Sequence, residues 1–313
     1  MYVVAGESLI DLVVRADGSY QPVPGGGPYN FARALALQGI PTGYANPFSH
    51  DAFGGLLQRT LQAAGAQHLG QISSKPTALA LVSTDARGQP QYSFYREGVA
   101  DRTIDAAALL GSISADTLGF HTGALALVPP DDAGMMQIVR HCRAQGVLCT
   151  VDVNMRPQIA QTLGISASRY RDAALAVLTS AHVAKVSDED LHHLGFSGAP
   201  QVAARALLER GCKLVVLTLG ADGAWALSAD AQVFEAAPKV ETVDTVGAGD
   251  CFFAGFIASL RHQGALAALH ERAPGAGVLV QALRHAAICA AINIGRKGCD
   301  PPTWDEAVRW RAR

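Results

Sequence analysis

Apolar residues along this chain follow two alternating spacings. Unbroken apolar runs bounded by turn residues recur, Leu214-Val215-Val216-Leu217 among them, and predict buried strands. Between them, apolar positions return about every three to four residues, the spacing of a helix with one buried face. The pattern predicts strands over 3–10, 44–48, 118–122, 147–154, 182–186, 214–219 and 224–228. It predicts helices over 31–38, 51–65, 131–145, 168–179, 201–211 and 278–294, with Ser168 as one N-cap. Strands that are apolar throughout, rather than at every second position, belong to a parallel sheet covered on both faces. The expected fold class is therefore α/β, a central, mostly parallel sheet between layers of helices.

Two segments break this rhythm. Residues 77–82 and 91–96 read as paired strands around the turn Asp85-Ala86-Arg87-Gly88. Together with residues 12–24 they predict a small β-sheet able to act as a lid. The chain then divides into a core, 1–11, 25–76 and 101–313, and an inserted lid, 12–24 and 77–100.

The stretch with the most chemistry in it is Val243-Asp244-Thr245-Val246-Gly247-Ala248-Gly249-Asp250. Behind it, Phe252, Phe253, Phe256, Ile257 and Leu260 share one helix face. A glycine loop feeding a helix start presents free N–H groups and the positive end of the helix dipole, a setting that binds anions. Asp250 at the mouth of such a site would repel a phosphate. The placement makes sense if Asp250 takes a proton from a hydroxyl that attacks a phosphoryl group, with Gly247, Ala248 and Gly249 as the anion hole. An acid in the first turn of a helix is also common without any chemistry, and this stretch alone leaves both readings open.

A second glycine run, Gly25-Gly26-Gly27, precedes Asn30 and a helix. Glycines there let the backbone approach a small polar ligand, or simply make a flexible loop. No G-K-[ST] follows, and no G-x-G-x-x-G is present, so neither the Walker loop nor the dinucleotide fingerprint applies. The missing fingerprint also counts against a nicotinamide oxidoreductase. Asp11 interrupts an apolar strand, which is costly unless the acid is paired, used or at an edge. Ligands on parallel sheets bind beyond the carboxyl ends of the strands. The polar residues expected there are Asn154, Arg156, Lys185, Ser187, Thr218 and Gly220, beside the loop Gly247 to Asp250.

Composition narrows the classes. The 313 residues are 49% hydrophobic, enough for a large core. A net charge of -2, with 17% charged residues and no basic stripe, excludes an electrostatic nucleic-acid surface. The six cysteines show no C-x-x-C or zinc spacing and read as buried thiols of a reducing, cytoplasmic protein. The chain opens directly on a strand, without a basic leader, and no uncharged, unbroken apolar run reaches the ~18–20 residues of a membrane span. Neither secretion nor membrane insertion is expected.

Taken together, several segments resemble the ribokinase-like (PfkB-type) carbohydrate kinases, and within them the bacterial fructokinase branch. They are Gly6-Glu7-Ser8-Leu9-Ile10-Asp11, the glycine run through Asn30, and Val243 to Asp250. The resemblance spans nearly the whole chain. It implies Asp11, Gly25, Gly26, Gly27 and Asn30 as sugar contacts and Asp250 as base. It implies ATP as donor with Mg²⁺, the nucleotide lying along Lys185, Ser187, Thr218, Gly220, Gly223 and the helix near Ala287. The family's Asn-x-x-Glu pair for Mg²⁺ and phosphate is matched by Ser187 and Asp190. A monovalent cation, K⁺, is held in some relatives by a loop that matches Asp244, Val246 and the carbonyls near Asn293, Arg296 and Gly298; Pro302 replaces one serine of that set. Lid pairing in the family implies a homodimer.

For the acceptor, Phe94-Tyr95-Arg96 with Asp101, and Asp152-Val153-Asn154-Met155-Arg156, resemble the fructokinase pattern. The expected reaction is phosphorylation of the hydroxymethyl group of D-fructose to fructose 6-phosphate. The alternative is 2-keto-3-deoxygluconate, whose carboxylate would need cations such as Arg87, Arg96 and Arg156; other ketoses, ribose or a catalytically silent sugar-binding protein rank below.

Overall fold

A computed structural model describes residues 1–15, 17–84, 90–114 and 116–311. Among them, the large sheet has nine strands. From one edge they run Gln232–Glu235, Ala224–Ser228, Leu214–Thr218, Val183–Ser187, Cys149–Asp152, Gly119–Gly123, Tyr2–Val4, Thr42–Tyr44 and Gln67–His68. The first two pairings are antiparallel and the rest parallel. The central strands are buried, as their unbroken apolar sequence requires. Two apolar clusters pack on this sheet. One contains the helix Ala248–His262, in which every residue from Asp250 to Leu260 is buried. That helix packs between Gly27–Leu37 and Ala276–Ile294, close enough that a methyl on Gly255 would sit 2.8 Å from Cys289 Sγ. Ala276–Ile294 is also the one described helix long and apolar enough to cross a membrane, and here it packs against the core.

The second sheet is the lid-like element. Its order is Tyr20–Gly25, Leu9–Val14, Ala78–Thr84 and Pro90–Tyr95. It starts at Leu9, earlier than residue 12, and the turn Asp85 to Gly88 lies outside the described residues.

Several expected elements move. The run 3–10 is not one strand: Tyr2–Val4 and Leu9–Val14 belong to different sheets. They part at Gly6, whose φ of +148 excludes a side chain and whose Cα faces Pro28 closely. The buried pair Glu7 and Ser8 bridges the two sheets. The run 44–48 also divides, into Thr42–Tyr44 and Phe48–Ser49; Pro47 between them has no N–H for a ladder. The helix over 31–38 starts earlier, at Gly27, with Pro28 in its first turn. The N-cap is Ser166, not Ser168: Ser166 Oγ accepts the Arg169 N–H at 3.3 Å.

Candidate active site

The site is built where helix starts meet strand ends. The helix Ala248–His262 begins after Gly247, which has φ +73 and lies directly on Cys299. A side chain there would be strained and would strike the thiol. Because the chain turns here, the N–H groups of Gly247, Gly249 and Asp250 have no hydrogen-bond partner among the described residues. Ala248 departs from expectation: its N–H is taken by the Thr245 carbonyl at 3.2 Å. The donors this turn leaves free among the described residues are thus Gly247, Gly249 and Asp250 rather than Gly247 to Gly249.

Asp250 is buried, and its Oδ2 accepts from Asn30 Nδ2 at 3.0 Å. Burial pushes the Asp250 carboxyl up to about 7, and Asp152 adds to the rise; the Asn30 hydrogen bond, Lys185 and Arg156 oppose it. A methyl on Gly27 would lie 3.3 Å from Asn154 Nδ2 and 3.5 Å from Asp250 Oδ1. Gly27, Asn30, Asn154 and Asp250 therefore line one small space. Gly25 is just as close to the Asp11 carboxylate, and Gly26, with φ +110, lies against the Glu7 carbonyl. Burial lifts Asp11 to about 7, and the positive charge of Arg156 opposes the rise.

Lys185 Nζ reaches into the site from the opposite side, 3.2 Å from a methyl placed on Gly249. It is buried and forms an ion pair of 2.7 Å with Asp152 Oδ2. Burial draws the Lys185 ammonium down, but Asp152, Asp190 and Asp250 outweigh this and hold it above the usual lysine range. Next along the sheet edge, Ser187 pairs in register with Thr218. Thr218 Oγ1 lies 3.4 Å from the Val186 carbonyl, and Gly220 and Gly223 turn the chain with φ of +54 and +126. Ala287 is buried in the helix Ala276–Ile294, which packs on the Ala224–Ser228 strand.

Three expected roles read differently in place. Ser187 is the N-cap of Asp188–His193 in a capping box with Asp190. Both Asp190 oxygens are spent, on Met155 N and Ser187 N at 2.8 Å each, so this acid is a scaffold for the strand ends. Arg96 is expected at the acceptor but is already committed to a neighbour. It is turned inward, 8% exposed, and its Nη2 donates to Asp101 Oδ2 at 2.8 Å. The loop matched to a monovalent cation closes on itself. Asp244 accepts from Val246 N and Gly298 N at 3.0 and 2.9 Å, and Asn293 Nδ2 donates to the Val246 carbonyl at 2.8 Å. Arg296 faces away, onto Glu306 at 2.9 Å.

Two acids gained no role from sequence patterns. Asp152 sits inside a strand-end motif whose Asn and Arg drew attention first. Glu7 looked like part of a continuous strand. The signal for both was a charged residue within an apolar run.

A family model for pfkB family carbohydrate kinases matches residues 1–306. A fructokinase of Rhizobium leguminosarum bv. trifolii is 34% identical over 266 residues, 83% of this chain and 80% of that protein. The solved structure of a fructokinase with bound ATP from Xylella fastidiosa superimposes with a TM-score of 0.85 at 23% identity, covering 100% of this chain and 99% of the other. A Vibrio cholerae O395 fructokinase in its fructose, ADP and calcium ion bound form gives 0.83 at 22% identity, covering 98% and 97%. These two structures establish the shared fold.

Proposed function

This chain belongs to the pfkB family of carbohydrate kinases, and on that premise we propose that it transfers the γ-phosphoryl group of ATP to the 6-hydroxyl of D-fructose. It is a phosphotransferase with an alcohol acceptor. The observation that carries fructose, over a sugar acid, is the charge balance at the acceptor end. Arg96 is already neutralised by Asp101 and Lys185 by Asp152, while Arg156 donates to the Met155 carbonyl at 2.9 Å. Of the three cations expected for a substrate carboxylate, Arg96 is thus committed and Arg87 lies outside the described residues, leaving Arg156 alone. A neutral, hydroxyl-rich acceptor suits such a site.

The mechanism follows from placement. Asp11, the Gly25–Gly27 backbone and Asn154 hold the sugar, with Arg156 beside them. Asp250, steadied by Asn30, takes the hydroxyl proton as the new O–P bond forms. The bond from γ-phosphorus to the bridging oxygen breaks, and ADP leaves. The free N–H groups at the start of Ala248–His262 offset the charge on the phosphoryl oxygens. Asn30 thus serves base and sugar together: Nδ2 is used on Asp250, and its buried Oδ1 has no protein partner.

Mg²⁺ arriving with ATP would supply charge neutralisation at the phosphates. No group of three or more His, Cys, Asp or Glu among the described residues forms a metal cage, and Asp190 is fully engaged. The chain fits Mg²⁺ carried by the nucleotide, with its own waters, rather than a resident ion. The cation loop's self-satisfied hydrogen bonds favour turnover without K⁺. Val13, Val14, Tyr20 and Tyr95 expose apolar surface on the second sheet, which supports homodimer pairing there. Six free, buried cysteines fit a reducing cytoplasm. A coupled ADP-release assay over fructose, 2-keto-3-deoxygluconate, ribose and tagatose tests the reading; best turnover on the keto acid would overturn fructose.

A further inference from the structure

We propose that Asp152 is a positioning residue for phosphoryl transfer: it parks the Lys185 ammonium against the start of the helix Ala248–His262 and hands it to the phosphoryl group when ATP arrives. This rests on the kinase reading above and assigns a role to an acid that reading does not use.

The geometry carries the argument. Asp152 ends the Cys149–Asp152 strand and Lys185 lies opposite it in register on Val183–Ser187. Their 2.7 Å contact is buried, with 5% and 7% of the two side chains exposed. Lys185 Nζ also lies beside Gly249, whose N–H is one of the unpartnered donors. One ammonium thus stands between a carboxylate and an anion hole. The second Asp152 oxygen, Oδ1, is buried without a partner among the described residues. A pair kept only for stability would have that oxygen satisfied, because a buried ion pair barely repays its desolvation otherwise. Half-satisfied, Asp152 holds Lys185 by one bond that an incoming phosphoryl oxygen can replace.

The parked cation has a second effect, on the base. The charged groups facing Asp250 are Asp152, Lys185 and Arg156, with Asn30 as its neutral donor. Lys185 is faced by Asp152, Asp190 and Asp250. The buried His121 nearby stays neutral. With Asp152 in place, the charge of Lys185 is offset at Asp250, and the base keeps its proton affinity while the site waits. Removing one partner or the other must therefore push the base in opposite directions.

The test compares D152N, K185M and the double variant D152N/K185M with the wild type, using fructose turnover, the KM for ATP and the acid limb of kcat/KM for fructose. D152N should lower the KM for ATP about threefold or more and move the acid limb down by roughly half a unit to two units. K185M should raise the KM for ATP about tenfold or more and move the limb up. The double variant should sit near the wild-type limb with a raised KM for ATP. Where K185M alone loses its fold, the sign is read from D152N against the double variant. Shifts of the same sign in active variants, or an unchanged KM for ATP in D152N, overturn the role of Asp152 and leave the kinase reading standing. No turnover by the wild type on any sugar overturns the kinase reading instead, and the proposal with it.

Discussion

Replacing Glu7 by Gln should make the protein more stable at high pH than at low, relative to the wild type. Glu7 is 3% exposed in the break between the two sheets. Its Oε1 accepts the Gly27 N–H at 3.1 Å, and its Oε2 has no partner. Burial raises its carboxyl from 4.5 to about 8, and the nearby Arg96 offsets only part of that. The folded state therefore binds this proton more tightly than the unfolded chain. Stability from it is full below the unfolded value and is lost as pH rises to about 8. From about pH 6 to about pH 8 the loss is about two units at ~1.36 kcal/mol each, or about 2.7 kcal/mol, and it is flat above. Glu7→Gln cannot ionise but keeps an acceptor for Gly27. Asp11 and Asp250, both raised to about 7, titrate in both proteins and cancel in the comparison. Urea unfolding of both proteins at about pH 6 and about pH 9 reads the difference: the variant's relative stability should rise by about 2–3 kcal/mol. Parallel stabilities at the two pH values would show that Glu7 is ionised throughout and that the argument from burial is wrong.

Other outcomes follow from the site. Asp250→Asn should cut kcat by roughly 10²–10⁴ while nearly keeping the KM for fructose; near-normal kcat would remove Asp250 as base. Because the base must be unprotonated, wild-type kcat/KM should fall below about pH 7, and a flat profile down to about pH 5 would contradict its burial. Gly27→Ala should raise the KM for fructose about tenfold and spare that for ATP, since the methyl would meet Asn154 and Asp250 at 3.3 and 3.5 Å; equal losses on both substrates would mean the loop itself has collapsed. Exchanging K⁺ for tetramethylammonium should change turnover less than about twofold, given the self-bonded loop at Asp244; a loss above about tenfold would reveal a cation requirement.

The layers of this fold were legible because its strands are apolar throughout and its helices amphipathic, so period alone separated them. Breaks were less legible. Gly6 and Pro47 each end a strand by one backbone property, a positive φ and a missing N–H, inside runs whose hydrophobicity does not change. The candidate site was legible where glycines stand beside an amide or an acid, at 25–30 and 247–250. It was obscure where function depends on partners far apart in the chain. Whether Arg96 faces solvent or Asp101 depends on how the Pro90–Tyr95 strand ends, and no local pattern records that. Asp190 shows the converse: spacing matched it to a metal-binding pair, while a capping box and the Met155 N–H account for both its oxygens.

The elevated acids share one cause and differ in use. Glu7, Asp11 and Asp250 are each lifted to about 7 or 8 chiefly by burial. Burial alone would make any of them a base at neutral pH, so burial cannot be what selects Asp250. What selects it is the company each keeps. Glu7 is tied to the Gly27 N–H, behind the glycine loop, where no acceptor hydroxyl can come in line with a phosphoryl group. Asp11 lies against Gly25 on the Leu9–Val14 strand, not at a helix start. Asp250 alone shares its turn with free N–H groups and a parked ammonium while Asn30 fixes its orientation. Proton affinity is supplied by the core in general; the proposed reaction sits at the helix start where that affinity meets N–H groups without a partner among the described residues, close to Gly27.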